Sequence, residues 1–293
     1  MHTFEYEAPE TIDEAVRLLK EAGGSARALA GGTDLVVQMK ERATRFPYPV
    51  TVVSLDRISE LHGVDFSDAD GLRIGAGATM TDVATHPAVR ERYAALAEGA
   101  GVVGSLQTMN MATIGGNVCN AAPSADTVPP LLVYEAEAVI VGPNGRRNLP
   151  ITELFRGPGE TALAPDELLA ELRLPLPAAG TGAVYERNTP RKQMDIAVVG
   201  VAVALTLSGD TIQRARVALG AVAPTPLRAT SAEAALQGQT ANEETFAKAA
   251  EAAVKDSSPI TDLRASAEFR RHLVRVMTMR LLAEAANRAK GTS

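Results

Sequence analysis

Hydrophobic positions recur first at helical spacing and later in short alternating or continuous runs, so the order of elements can be read before any chemistry. Thr11-Ile12-Asp13-Glu14 has the form of a capping box. Ala15, Val16, Leu18, Leu19 and Ala22 then follow at helical spacing until Gly23-Gly24, which predicts a first helix. A short apolar stretch over 26–30, a glycine turn and a mixed helical run over 34–40 give strand, turn, helix. A further strand over 51–55 completes a β-α-β-like unit in roughly the first sixty residues. Two short strands flank an Asp-Ala-Asp-Gly turn within 62–76, and 80–100 is helical with an interruption at Pro87. The stretch 110–130 is rich in Gly, Ala, Asn, Ser and Pro, as expected where the backbone must approach something closely. Strands over 138–141 and 147–149, joined by Gly142-Pro143-Asn144-Gly145, read as a hairpin.

Leu174-Pro175-Leu176-Pro177-Ala178-Ala179-Gly180 breaks either regular structure and marks the expected boundary between a first part, 1–176, and a second, 177–293. The first part divides further at about residue 60. Beyond the boundary, 196–207 and 211–219 are β-branched and apolar around Ser208-Gly209-Asp210, which predicts an antiparallel pair. The alanine-rich segment 231–290 predicts helices layered on that sheet. The class expected is α+β, and no internal repeat is evident.

Composition narrows the function. The chain has 29 Lys+Arg against 35 Asp+Glu, a formal net charge of −6, so the positive field that nucleic acid demands is missing. The basic groups at Arg270-Arg271-His272 and over 187–192 read as solvated faces. Cys119 is the only cysteine, which excludes an intrachain disulfide and a cysteine-ligated iron-sulfur cluster, and fits a reducing, cytoplasmic location. Residues 1–9 lack a signal-peptide pattern and the longest apolar run, 197–205, is too short to span a bilayer. The four histidines show no metal-ligand pairing, and no metal site is expected.

Two glycine loops carry the candidate chemistry. In Ala30-Gly31-Gly32-Thr33-Asp34-Leu35, consecutive backbone N–H groups at the mouth of a helix suit a diphosphate, and Thr33 can add a hydroxyl. Taken alone, this is also an ordinary strand-to-helix turn with Asp34 as N-cap. It lacks the GxGxxG spacing of a Rossmann site. Thr113-Ile114-Gly115-Gly116-Asn117 again sets a glycine pair between hydrogen-bonding side chains, so the two loops could clasp one extended dinucleotide. In Pro123-Ser124-Ala125-Asp126, the carboxylate suits a ribityl or ribose hydroxyl pair, or caps a helix. Cys119 reads as a small buried hydrophobe rather than a nucleophile.

The order of AGGTDL, TIGGN with PSAD, then Tyr185-Glu186-Arg187 and Asp195-Ile196-Ala197 closely resembles the FAD-binding medium subunit of the molybdenum hydroxylases, the family of xanthine dehydrogenase and aerobic carbon monoxide dehydrogenase. The resemblance implies a vanillyl-alcohol-oxidase-like FAD fold of two α/β subdomains, followed by a domain of antiparallel sheet and helices. It implies that 30–35 contact the diphosphate, that 113–117 line diphosphate and flavin, and that Asp126 binds the ribityl or adenosine portion. Arg187 stands where relatives have a lysine near the flavin's pyrimidine edge, which keeps the charge and changes the shape. Ile196 matches a residue over the flavin ring, and Val103 and Leu169 match apolar contacts; a core role is open for all three. Gln107-Thr108-Met109-Asn110 lacks an arginine common in relatives.

The implied activity is electron transfer by an FAD subunit. A molybdenum cofactor in a large partner subunit would oxidise the substrate, and 2Fe-2S clusters in a small partner would relay electrons to FAD. The assembly expected is a dimer of heterotrimers. Two alternatives are a self-contained flavin reductase similar to UDP-N-acetylmuramate dehydrogenase, and a flavin-free assembly or adaptor subunit.

Overall fold

The computed structural model describes residues 2–41 and 48–291. Strands β1 (Glu5–Glu7), β2 (Ala26–Leu29) and β3 (Thr51–Ser54) form a parallel sheet in the order β1-β3-β2. Helix α1 (Ile12–Glu21) joins β1 to β2, and α2 (Leu35–Glu41) follows β2. The Thr11 hydroxyl accepts from the Glu14 N–H at 3.2 Å, but Glu14 reaches back to the N–H of Glu10, at 3.3 Å, one residue before the position a capping box uses.

The second layer is an antiparallel sheet, ordered β4-β5-β10-β6-β7 from β4 (Val64–Ser67), β5 (Gly71–Gly75), β6 (Glu137–Gly142), β7 (Gly145–Pro150) and β10 (Leu168–Leu174). The pair β8 (Phe155–Gly157) and β9 (Glu160–Thr161) stands apart from it. Six short helices lie between β5 and β6: α3 (Met80–Thr85), α4 (Pro87–Arg92), α5 (Ala94–Gly101), α6 (Leu106–Met109), α7 (Ile114–Cys119) and α8 (Val128–Val133). Pro87 begins α4 rather than merely ending a helix, because a first-turn proline gives up no intrahelical bond. Both faces of the sheet are buried. Leu72, Ile74, Ala138, Ile140 and Leu172 pack with the short helices, whereas Val141, Leu168 and Ala170 pack with α1 and the parallel sheet. The register of β10 shifts between Leu169 and Glu171, so the helix-facing positions change from odd (Leu169) to even (Leu172, Leu174) across the irregularity.

The third layer is β11 (Thr181–Asn188), β12 (Val199–Ser208), β13 (Thr211–Gly220) and β14 (Leu227–Arg228), antiparallel in that order, with α9 (Thr230–Leu236), α10 (Glu243–Asp256) and α11 (Ala267–Ala289). Its two faces differ in residue size. Val184, Val201, Val203, Val217 and Leu219 face the core shared with these helices, while Ala183, Ala202, Ala204 and Ala218 join the core of α3–α8. The small face lets α5 and α8 lie close on the sheet, so the two halves share a packed boundary.

Two sequence expectations shift. The strand predicted from Ile196 begins at Val199, because the Asp195 carboxylate accepts from the N–H groups of Arg191 and Ile196 (both 2.9 Å) and closes 191–196 into a loop. The small-residue stretch 110–130 contains α7 and the start of α8. All six residues of α8 are buried, which erases the amphipathic period that would have disclosed it.

Candidate functional site

The two glycine loops touch. A Cβ on Gly31 would lie 1.9 Å from the Met111 carbonyl oxygen, so Gly31 is required for backbone contact with the segment that leads into the second loop. Gly32 is left-handed at φ +71°. Among the described residues, the N–H groups of Gly31, Gly32 and Thr33 donate to no acceptor of the chain, and all three residues are half-buried. Three consecutive amides without a partner in the chain are ready donors for an anion.

The second loop is differently arranged. The N–H groups of Ile114 and Gly115 donate to the carbonyls of Ala78 and Ala76, both at 2.9 Å, and that of Gly116 donates to the capping Thr113 hydroxyl at 3.1 Å. These amides stitch α7 to the end of β5 and its following turn. Gly115 is packed there as well, since its Cβ would sit 2.5 Å from that of Ala76. A Cβ on Gly116 would lie 2.9 Å from the capping Thr113 hydroxyl, which must shift to admit any side chain. Asn117 is oriented by Thr127, whose hydroxyl donates to Asn117 Oδ1 at 2.6 Å and leaves the amide nitrogen available.

Asp126 precedes α8 and is not its cap, which is Thr127. Its carboxylate is buried, 6% exposed, and accepts from the Tyr185 hydroxyl (2.7 Å) and from Arg187 Nη1 (2.5 Å), both on β11. Burial pushes the Asp126 carboxyl up to about 6, against the opposing pull of the Arg187 charge and the two hydrogen bonds. Arg187 is itself buried, and its Nη2 has no partner. Arg187 lines a cleft of about 630 Å³ with Glu98, Val102, Tyr185, Asn188 and Lys192.

The remaining sequence candidates fall into two groups. Val103 packs half-buried against the core of the short helices, and Leu169 lies in that core at 4% exposure. Ile196 is 47% exposed, in a loop tied to the 103–104 turn by the Met194 N–H on the Gly104 carbonyl (3.3 Å). Cys119 is half-buried, and desolvation pushes its thiol up to about 12, which keeps it an unreactive neutral group. Among the described residues no cluster of three or more His, Cys, Asp and Glu could hold a metal, and no helix is long and apolar enough to cross a membrane. Sequence reasoning did not assign roles to Tyr185, Thr127 or the Met111 carbonyl. Tyr185 stood in a motif already singled out, but its pairing with Asp126 depends on tertiary structure.

Unpaired amides at 31–33 and an unpaired buried guanidinium nitrogen fit a dinucleotide with a charged diphosphate. Residues 2–177 match the family described as the FAD binding domain in molybdopterin dehydrogenase. The chain belongs to that family. Residues 185–285 match the carbon monoxide dehydrogenase flavoprotein C-terminal domain. Family relatives include the carbon monoxide dehydrogenase medium chain of Hydrogenophaga pseudoflava, 37% identical over 95% of this chain and 96% of its own length. A putative xanthine dehydrogenase FAD-binding subunit of Escherichia coli K12 is 34% identical over 98% and 97%. Among solved structures, carbon monoxide dehydrogenase from Hydrogenophaga pseudoflava lacking the Mo-pyranopterin moiety superposes with a TM-score of 0.93, at 38% identity and 98% coverage of both chains. Quinoline 2-oxidoreductase from Pseudomonas putida superposes with a TM-score of 0.90, at 29% identity, covering 99% of this chain and 98% of the other.

Proposed function

We propose that the chain is the FAD-bearing electron-transfer subunit of a molybdenum-containing hydroxylase or dehydrogenase. It receives electrons from 2Fe-2S clusters of a small partner subunit and delivers them to an external acceptor. The observation that carries this reading is the near full-length likeness to a carbon monoxide dehydrogenase medium chain, with both glycine loops in place. Because the only cysteine is Cys119, the iron-sulfur clusters must be held by another chain, and the molybdenum cofactor is assigned to a large partner. The assembly inferred is a dimer of heterotrimers in the cytoplasm.

When bound, FAD supplies the two-electron chemistry. Residues 1–176, with subdomains divided near residue 60, would form the FAD-binding part, and 177–293 would close over it. Ala30, Gly31, Gly32, Thr33, Asp34 and Leu35 would hold the diphosphate, for which the free amides of 31–33 are the donors. Thr113, Ile114, Gly115, Gly116 and Asn117 would line diphosphate and flavin, with Asn117 as the donor. Each Asp126 oxygen retains a second lone pair for a ribityl or adenosine hydroxyl. Arg187 would bring its unpaired nitrogen to the pyrimidine edge, and Ile196 would cover the ring. Val103 and Leu169 would supply apolar contact from the core side. No side chain here needs to act as a general base.

The test is to purify the chain with the subunits that accompany it and to assay flavin, iron and molybdenum together. All three in one complex are expected. Flavin with neither metal and no partner would mean a self-contained flavin reductase instead, and no flavin would mean an adaptor.

A further inference from the structure

We propose that Tyr185 and Gly200 are positioning residues of the FAD site: the Tyr185 hydroxyl fixes the Asp126 carboxylate, which fixes Arg187 at the cleft, and Gly200 leaves the space that hydroxyl needs. This rests on the FAD reading above. Tyr185 and Arg187 are two residues apart on β11 and therefore project to the same face of the sheet. They grip opposite oxygens of one carboxylate, Tyr185 on Oδ1 and Arg187 on Oδ2, and so hold its plane as well as its position. The backbone N–H of Tyr185 donates to Glu98 Oε2 at 2.7 Å, which anchors the residue to α5.

Gly200 lies directly opposite Arg187 on β12. A Cβ there would sit 2.8 Å from the Tyr185 hydroxyl and 3.4 Å from two ring carbons. A glycine within a strand weakens it, and this one, at the second position of β12, has a packing reason: any side chain would push the phenol off Asp126. The result is a guanidinium with one arm fixed and the other, Nη2, buried without a partner beside the cleft.

The arrangement depends on ionised Asp126. Tyr185 and Arg187 of β11 are the titratable groups that bear on it; one bond further, Glu98 of α5 accepts from the Tyr185 amide and is paired with Arg288 of α11 at 2.7 Å. Removal of the hydroxyl takes away a bond that favours the carboxylate, so protonation moves to higher pH and Arg187 is released earlier on acidification.

The experiment measures FAD dissociation from the purified complex by the recovery of flavin fluorescence between pH 5 and 8. It compares the unchanged protein with Tyr185→Phe, Gly200→Ala and Arg187→Met, with circular dichroism to confirm folding. Tyr185→Phe and Gly200→Ala are each expected to weaken FAD retention about tenfold at pH 7, the size of a lost hydrogen bond to a charged group, and to raise the pH at which retention fails. Gly200→Ala keeps the hydroxyl, so it tests the same geometry if Tyr185→Phe folds poorly. If both variants hold FAD with unchanged affinity and pH profile while Arg187→Met loses it, the positioning role is wrong and the FAD site stands. If the unchanged complex takes up no FAD, both fall.

Discussion

Gly31 and Gly116 belong to similar loops, yet their missing side chains leave different gaps. A Cβ at Gly31 meets the Met111 backbone at 1.9 Å, so Gly31→Ala must force the two loops apart. It is expected to cost about 1–3 kcal/mol in stability, as overpacking does, together with FAD binding. At Gly116 a Cβ would meet the Thr113 hydroxyl that caps α7, so Gly116→Val should cost about 1 kcal/mol by displacing that cap and should abolish FAD retention in a chain that still folds. Thermal melts beside flavin assays separate the two outcomes; a Gly116→Val chain with stoichiometric FAD would remove that loop from the site. Asp126 offers a second test at this scale. Its carboxyl is raised in the folded chain to about 6 from 3.8, so the unfolded chain releases its proton first as pH rises. Its contribution to stability is therefore greatest below about 4, falls through about 6, and then stays flat, a loss of about 3 kcal/mol at 1.36 kcal/mol per unit. Glu167 and Glu171 are lowered and act in the opposite sense at lower pH, so the informative quantity is a difference. Urea unfolding at pH 4.5 and 7 should show Asp126→Asn lacking that fall; parallel pH dependence in both chains would contradict it.

At the scale of elements, the sequence was most legible where burial is one-sided. The helix after Thr11 follows from its spacing because it has one wet face, whereas the strand before Gly31-Gly32 and the hairpin over 137–150, whose first strand is buried on both faces, follow from their turn residues. Where burial is complete, as in α8, the period vanishes and only composition remains. Buried charge was also illegible: Arg270 read as a solvated face and is 3% exposed. From α11 its guanidinium donates to the carbonyls of Val198 (2.5 Å) and Ala221 (3.1 Å) and to Asp262 (2.7 Å). The N–H of Ala221 in turn donates to the Pro123 carbonyl at 2.7 Å, in the segment that carries Asp126. Arg270 therefore ties a C-terminal helix to the start of β12 and, through one turn, to the candidate site. Arg270→Ala should destabilise the protein by about 1–3 kcal/mol, because it leaves two carbonyls without their donor, while the partly exposed Asp262 keeps Arg264 and the Ala265 N–H. Denaturant unfolding that shows a loss under 1 kcal/mol would mean these groups find other partners.

For the whole molecule, the glycine loops and the order of segments were readable, but the closure of the site was not, because its decisive contacts join residues far apart in the chain. Asp126 meets Tyr185 and Arg187 across 59 and 61 residues, and Glu98 meets Arg288 across 190. No local pattern encodes such pairings. They also bear on whether the FAD-binding part can stand alone. A chain ended at residue 177 would lose both donors to Asp126, the partner of Glu98, and the Arg216 that pairs with Glu135 at 2.8 Å. It would also uncover the core that Ala183, Tyr185, Ala202, Ala204 and Ala218 now cover. A buried carboxylate stripped of its cation and an apolar face opened to water both favour a loosened state. Residues 1–177 expressed alone are therefore expected to bind a hydrophobic dye and to take up no FAD. The full-length chain is expected to take up FAD, and co-expression of 178–293 is expected to restore uptake to the fragment. A fragment that held stoichiometric FAD and melted with the full chain would show that the third sheet is dispensable to the site, and that Arg187 is not part of it.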